Sequence, residues 1–314
     1  MESAKYAFYT YEIQESPHLE FPHENKAPLD IINEIIKMGM HLTCKKKKDE
    51  SYHIDVHKLI KVGRVYLIEL LDTKETKLFD GHKKRTEKSH PGVYVIFDNR
   101  DNVCQIAIEV NKAFDGNTDK VVKSLKCTID ATLNNHSLKI VIKRKYQACT
   151  IKDRVNERLL NGDSIRKVAW EFPNPRKVSG IDNGPDSNEL LDYMCRLTQA
   201  SNALKSTLTL YGTKGDPMTL DDDTNVGLSN IIALSAQNNY NLAFHFHISK
   251  EVIRLRDAEA AFFEIEQRVI DDFMNGQQGT DDLTSANKYE LTNRLDTIRR
   301  EIASYKNEKT VDER

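Results

Sequence analysis

Residues 138–147, which read LKIVIKRKYQ, begin with alternating apolar and polar residues. Such alternation is typical of a strand with one buried face. We expect Ile140 and Ile142 on the buried side, with Arg144 at the end of that side. The lysines expected on the exposed side are Lys139, Lys143 and Lys145. A strand this basic either protects a sheet edge from aggregation or forms a surface that holds an anion.

A helix-period segment followed by an alternating segment occurs four times along the chain. These segments are residues 119–145, 153–172, 188–212 and 228–249. Asn or Gly stands at each junction, and both residues tolerate the left-handed conformation that ends a helix. The pattern predicts an α+β fold in which repeated helix–strand units form mixed sheets.

Strand and helix patterns also occur earlier in the chain. Residues 5–13 (KYAFYTYEI) have an aromatic strand pattern, and residues 28–40 place four isoleucines on one helical face. Residues 51–79 predict strands, and residues 93–110 predict a β-hairpin. The polar, basic segment 80–92 between them predicts a loop.

Apolar residues recur at spacings of three and four in the C-terminal part. The first such set is Leu255, Ala258, Phe262, Ile265 and Val269. A second set lies between residues 291 and 305. Together they predict a helical hairpin over about residues 250–308, with coiled-coil-like seams. The pattern leaves two alternatives for this hairpin: it packs on its own domain, or it pairs with a second copy in a homodimer.

The charge of −2 for the whole chain conceals a division along it. Residues 51–180 carry 25 Lys and Arg against 16 Asp and Glu, whereas residues 181–314 carry 14 against 23. The Pro- and Gly-rich segment 172–188 lies where the sign changes. We therefore expect a basic α+β domain over residues 1–177 and an acidic αβ domain over residues 178–314.

Composition narrows the class of protein. No apolar run approaches the roughly 18–20 residues that span a bilayer, and residues 1–12 do not have the pattern of a signal peptide. The five cysteines are an odd number without CxxC spacing, which argues against a disulfide framework and a Cys-based zinc site. We expect a cytoplasmic protein that uses no metal or other cofactor.

Enzymatic motifs are sparse. The segment 212–217 (GTKGDP) lacks the spacing of a phosphate-binding loop. His41 and His247 each begin a His-apolar-hydroxyl triplet, the pattern of two-histidine phosphoesterases. Three other groups that we considered are His245 with His247 as metal ligands, the loop Asp221–Asp223 as a carboxylate source, and Asp101, Glu109 and Lys112 as a nuclease site. Catalysis by this chain is therefore uncertain, and the motifs favour a protein that is not an enzyme.

Basic clusters give more support to nucleic-acid binding. The residues that we expect to contact nucleic acid are Lys83, Lys84, Arg85, Lys139, Lys143, Arg144, Lys145, Arg176 and Lys177. No helix-turn-helix, zinc-finger or RNP-type motif accompanies them, so we expect contacts to the phosphate backbone without strong sequence specificity.

The order of elements in the first 150 residues resembles the RexA-type phage-exclusion proteins and families found in bacterial phage-defence islands. The likeness lies in the segments FYTYE, INEII, SYHIDVHKLI, VYLIELLDTKETKLF and VYVIF. The resemblance implies a dimeric, non-enzymatic protein that binds DNA with little sequence preference. No residue role follows from it, because no motif is shared residue by residue.

These observations lead to one main hypothesis and two alternatives. The chain is expected to be a nucleic-acid-binding component, with DNA as the partner, of an abortive-infection-like antiviral defence system, and to act as a homodimer. One alternative is a phosphoesterase or nuclease that uses His41 and His247 or the Asp221–Asp223 loop. The other is a protein-interaction subunit of a multi-protein defence complex, in which a partner defence protein does the chemistry.

Overall fold

A computed structural model describes most of the chain. The described residues are 2–15, 28–37, 42–45, 51–72, 74–80, 83–89, 91–101, 103–173, 178–179, 189–201, 203, 205–216, 218, 228–238, 240–275 and 284–303.

The described residues form seven α-helices and fifteen strands. The helices are α1 (Pro28–Lys37), α2 (Thr118–Leu133), α3 (Ala148–Leu160), α4 (Glu189–Ala200), α5 (Leu228–Asn238), α6 (Gln267–Asn275) and α7 (Thr284–Ala303). The first eight strands are β1 (Ser3–Glu15), β2 (Leu42–Lys45), β3 (Ser51–Val62), β4 (Val65–Leu71), β5 (Lys74–Asp80), β6 (Lys83–Ser89), β7 (Gly92–Asp98) and β8 (Gln105–Glu109). The remaining strands are β9 (Leu138–Arg144), β10 (Ile165–Pro173), β11 (Val178–Ser179), β12 (Lys205–Tyr211), β13 (Leu242–Phe246), β14 (Val252–Arg254) and β15 (Phe262–Glu266).

The predicted α+β class is confirmed, and so is each of the four helix–strand units. They are α2 with β9, α3 with β10, α4 with β12, and α5 with β13. The left-handed backbone occurs at two junctions, but only the second has it at a predicted Asn or Gly, because Asn134 is right-handed and Ser137 takes this conformation instead. Ser137 has a φ of 55° before β9, and Gly162 has a φ of 80° after α3. Gly loses nothing sterically in this conformation, which explains why a helix can stop abruptly at residue 162.

The chain folds into two compact units that follow a different division from the predicted boundary after residue 177. The first unit comprises residues 1–142 and 262–293, and the second comprises residues 143–261 and 294–314. The C-terminal segment returns to the first unit because β15 pairs antiparallel with β1, with Ser3 opposite Glu266. A pairing across such a distance in sequence has no local signal in composition or charge.

The sheet of the first unit is buried on both faces at its strand β1. Its strands follow the order β1, β8, β7, β4, β3 and β2, and β9 and β15 also pair with β1. Every residue of β1 from Tyr6 to Ile13 is buried. The odd-numbered side chains of β1, including Tyr9 and Tyr11, join a core cluster that contains residues of α1 and α2. β1 therefore has the near-continuous burial of a strand that is covered on two sides.

A buried polar network fixes α1 on this sheet. The Tyr66 hydroxyl donates to Asn33 Oδ1 at 2.6 Å, and Asn99 Nδ2 donates to the same oxygen at 2.8 Å. The Tyr11 hydroxyl donates to Asn99 Oδ1. Because each partner is buried, these hydrogen bonds satisfy polar groups that would otherwise be costly in the core.

The sheet of the second unit has the order β12, β10, β13 and β14, and all three of its ladders are antiparallel. Val168, Trp170, Phe244, Phe246 and Ile253 point to one face and are buried. Helix α4 packs against β10 and β12, and helix α3 packs against β14 and α5. Helices thus cover one face of this sheet.

The C-terminal prediction is confirmed in part. The chain has a C-terminal helix pair, α6 and α7. The helix predicted over residues 255–266 is wrong, because residues 262–266 form β15 and the helix begins at Gln267.

The loop predicted over residues 80–92 is also wrong, since β6 pairs antiparallel with β5 there.

Candidate nucleic-acid interface

Several of the basic residues predicted to contact nucleic acid lie outside the described parts of the chain. Arg176 and Lys177 belong to residues that the structure does not describe. Residues 83–85 lie on β6, which gives their backbone position but not the placement of their side chains. Their role in binding stays a prediction.

The basic strand β9 and the residue that follows it do not expose all of their lysines. Ile140 is buried as predicted, and Lys139 and Lys143 are half-buried. Lys145 is only 1% exposed, so the expectation that it lies on an exposed face is wrong. The reason is that β9 ends at Arg144, and the backbone N–H of Ala261 donates to the Lys145 carbonyl at 2.8 Å. Alternation along the sequence stops predicting sidedness where the strand ends.

The enzymatic candidates do not form a described site. His41 and the Asp221–Asp223 loop lie outside the described residues. His247 directly follows β13, the strand of His245, so its predicted place on the same strand face stays a prediction. Its Nε2 lies 3.3 Å from the Gly212 carbonyl oxygen. Within the described ranges, no group of three or more His, Cys, Asp or Glu side chains has the arrangement of a metal site.

The proposed nuclease residues have structural partners instead. Asp101 pairs with Arg64 at 2.7 Å between Oδ1 and Nη1. Glu109 Oε2 accepts the backbone N–H of Tyr94 at 3.0 Å. These contacts account for both carboxylates without a bound ion.

The face of the second-unit sheet opposite its helices is partly exposed, and we call it the open face. Residues opposite each other in antiparallel ladders point to the same side, so three rows of side chains cross it. They are Tyr211, Lys167, His245 and Val252 in the first row, Thr209, Ala169, Ala243 and Arg254 in the second, and Thr207, Glu171 and Asn241 in the third. Each side chain in these rows is half-buried or exposed.

The first row combines an aromatic ring with positive charge. Tyr211 is 72% exposed, and Lys167 Nζ lies 5.7 Å from the centre of its ring. Burial and the charges of Lys167, Arg166 and Arg254 lower the pKa of His245. Burial and a local positive potential therefore both hold the imidazole toward its neutral form. An anion placed on this row would relieve that potential.

The second row is concave at its centre, because Ala169 and Ala243 are small. A cavity of about 330 Å³ lies against these two alanines. Arg254 and Arg256 contribute to its wall. Within the described residues, no carboxylate lies within 4.0 Å of either guanidinium group.

A carboxylate in the third row is held in place from two sides. Glu171 Oε2 accepts from Lys205 Nζ at 3.0 Å, and Glu171 Oε1 accepts from Asn241 Nδ2 at 2.8 Å. These contacts fix the orientation of the carboxylate at the wall of the cavity. Charge-assisted hydrogen bonds of this kind are stronger than neutral ones.

Two arginines elsewhere in the same unit are paired with a carboxylate. Arg158 forms an ion pair with Glu251, and Arg154 Nη2 lies 3.7 Å from the same carboxylate. The contrast separates two kinds of cation. Arg154 and Arg158 have a structural partner on the protein, whereas Lys167, Arg254 and Arg256 have no such ion pair within the described part of the chain.

The sequence analysis did not single out Tyr211 or Arg254. A signal for the open face was present in residues 205–211 (KSTLTLY), where polar or aromatic residues alternate with leucines. This signal is weak, because Tyr211, Lys167 and His245 come together through strand register and are far apart in sequence.

Comparisons with protein-family models, with curated proteins and with solved structures returned no match. Among the helices in the described part of the chain, none combines the length and the apolar character needed to cross a bilayer.

Proposed function

We propose that the protein binds single-stranded nucleic acid through the open face of the second-unit sheet. The observation that carries the proposal is the group formed by Lys167, Arg254 and Arg256, which lack an ion pair within the described residues and lie on or beside a face with an exposed tyrosine ring.

The chemistry of this face matches that of a single strand. Guanidinium and ammonium groups neutralise phosphates, and an exposed aromatic ring stacks on a base whatever its identity. In a duplex the bases already stack on each other, so Tyr211 would have little to bind there. The proposal therefore favours single-stranded DNA or RNA over duplex DNA.

The proposal moves the interface away from β9, where the sequence analysis expected it. Lys145 is buried, and a cation without exposed surface cannot contact a phosphate. Lys167, by contrast, lies on the open face beside Tyr211. The binding roles predicted for Lys139 and Lys143 stay predictions.

Binding should be measured by fluorescence anisotropy with labelled single-stranded DNA, single-stranded RNA and duplex DNA, at about 50 mM and about 200 mM salt. We expect single strands to bind more tightly, and their affinity to fall about tenfold or more between the two salt concentrations. Arg254→Glu and Tyr211→Ala should each weaken binding about tenfold or more.

Lys123→Glu is the matched control, because Lys123 is an exposed cation on α2 of the first unit. It should leave binding within about twofold of the wild type. Equal losses for Arg254→Glu and Lys123→Glu would show that binding follows net charge and not the open face. A degraded probe in the same assay would favour the phosphoesterase or nuclease alternative.

The resemblance to RexA-type proteins supplies the cellular setting of the proposal. We propose that this binding serves phage defence, and that the protein acts as a homodimer. Efficiency of plating with wild-type and Arg254→Glu protein tests the setting, and light scattering on the purified protein tests the dimer. Equal protection by the wild type and Arg254→Glu would show that phage defence does not depend on binding at the open face.

A further inference from the structure

We infer that the cavity on the open face takes one nucleotide and prefers a base that presents two adjacent hydrogen-bond donors, as guanine does. The inference rests on the proposed function, because it names the nucleotide for which the same face is selective. Its basis is the arrangement of acceptors and cations around the two central alanines.

The size of the cavity fits a single nucleotide. Its volume of about 330 Å³ is at the lower end of the range for small-ligand sites. Ala169 and Ala243 form a flat floor because neither side chain extends beyond Cβ. A larger residue at either position would fill the space that a base needs.

One wall of the cavity offers hydrogen-bond acceptors. Each oxygen of Glu171 already accepts one hydrogen bond, from Lys205 or Asn241. A carboxylate oxygen can accept two, so each has a further lone pair. Asn241 donates its Nδ2 to Glu171, which leaves its Oδ1 as an acceptor. A ligand edge that matches this wall must donate.

Guanine matches the wall best among the common bases. Its Watson–Crick edge places the N1–H beside the exocyclic amino group, and the two donors fit the two oxygens of one carboxylate. Uracil has one N–H between two carbonyl oxygens, which a carboxylate repels. Adenine and cytosine each offer one amino group beside a ring acceptor. Specificity of this kind comes from base edges, whereas phosphate contacts only fix position.

The cations of the cavity give the nucleotide its second point of attachment. Arg254 and Arg256 line the same space as Glu171. A guanidinium group binds a phosphate through two parallel N–H donors, so either arginine suits the phosphate of the bound nucleotide. A base held at the carboxylate and a phosphate held at an arginine would together set the direction of the strand.

Oligonucleotides of about eight nucleotides test the inference. The probes are a uracil-only strand and the same strand with one central guanine, inosine or adenine. We expect the guanine strand to bind about tenfold or more tightly than the uracil strand, the discrimination typical of one bidentate contact. Inosine lacks the amino group but keeps the N1–H, so its affinity should be intermediate. Titration with free GMP and UMP completes the series.

Glu171→Gln should remove the preference for guanine, and the affinity for the uracil strand should not fall, because the carboxylate that repels uracil carbonyls and phosphates is gone. Glu157→Gln is the matched control, since Glu157 is exposed on α3, away from the sheet. Ala243→Leu is a second test that does not alter the carboxylate. It should fill the cavity and also abolish the preference.

The outcomes separate the inference from the proposed function. Equal binding of the guanine and uracil strands by the wild type would overturn the inference and leave the proposed function intact. A guanine preference that survives both Glu171→Gln and Ala243→Leu would also overturn it. Binding of GMP without binding of any oligonucleotide would support the cavity assignment and contradict the proposed function. Failure to bind any of these probes would overturn both.

Discussion

The two sheets of this protein differ in how many of their faces the chain covers. In the first unit, consecutive residues of β1 such as Tyr6, Ala7 and Phe8 are all buried, so both faces of the sheet are covered there. In the second unit, β13 alternates strictly, with Leu242, Phe244 and Phe246 buried and the residues between them half-buried. The first sheet is a scaffold, whereas the second retains a face that can meet a ligand.

This difference shows why total charge is a poor guide to a binding surface. The interface predicted from the sequence rests on runs of cations, and one of these runs ends in a buried lysine, Lys145. The open face has fewer cations in sequence, but strand register gathers Lys167 and Arg254 from different strands onto it. An open sheet face with cations that lack ion pairs therefore points to a ligand more directly than a basic segment does.

The largest effect that we expect comes from truncation of a buried side chain on β1. Phe8 is fully buried and its ring meets the ring of Phe263 edge-on at 5.8 Å. Phe8→Ala should lower the free energy of unfolding by about 3–5 kcal/mol, whereas Tyr211→Ala on the open face should cost less than about 1 kcal/mol. Denaturant titration followed by circular dichroism measures both, and equal losses would contradict the contrast between the sheets.

A smaller effect should come from the turn that follows β13. Burial acts to raise the pKa of Asp163, but hydrogen bonds from the backbone N–H groups of Ile248 and Ser249, at 2.8 and 2.9 Å, hold it well below its usual range. Asp163→Asn should lower the free energy of unfolding by about 1–2 kcal/mol at neutral pH. Asp153→Asn, at an exposed position on α3, is the control and should be nearly neutral.

The pH dependence of this loss has a definite sign. A carboxyl whose pKa is depressed by folding stabilises the folded state above its ordinary pKa, and that stabilisation fades as the pH falls. The difference between wild type and Asp163→Asn should therefore shrink below about pH 4. A difference that stays constant down to about pH 2 would show that the charge of Asp163 contributes nothing.

The smallest effect concerns the pH dependence of binding. The pKa of His245 is lowered by burial and by nearby cations, so this residue is mostly neutral in the free protein near pH 7. A phosphate on the first row of the open face would raise that pKa, and proton uptake would then accompany binding. Affinity should rise a few-fold as the pH falls from about 7.5 to about 5.5, and His245→Gln should flatten the profile. If the pH dependence of affinity is the same in His245→Gln and the wild type, the phosphate does not bind on the first row.

Local features of the fold could be predicted from the sequence, and long-range ones could not. The four helix–strand units were predicted because residues such as Gly162 end helices through their own backbone preference. The strand β15 was missed because its spacing of Phe262 and Ile265 also suits a helix, and only its pairing with β1 decides between the two. The candidate site could not be predicted for the same reason, since no local sequence pattern shows that Tyr211 and His245 lie in one row.

The pairing of β1 with β15 also has a consequence for synthesis on the ribosome. Ser3 emerges among the first residues, but its partner Glu266 is made only after residues 143–261 of the second unit. At ordinary elongation rates the interval is on the order of tens of seconds. During that time one edge of β1 has no strand from its own chain to pair with at residues 3–7. A nascent chain of this protein therefore needs a chaperone, or fast elongation, more than its final stability would suggest.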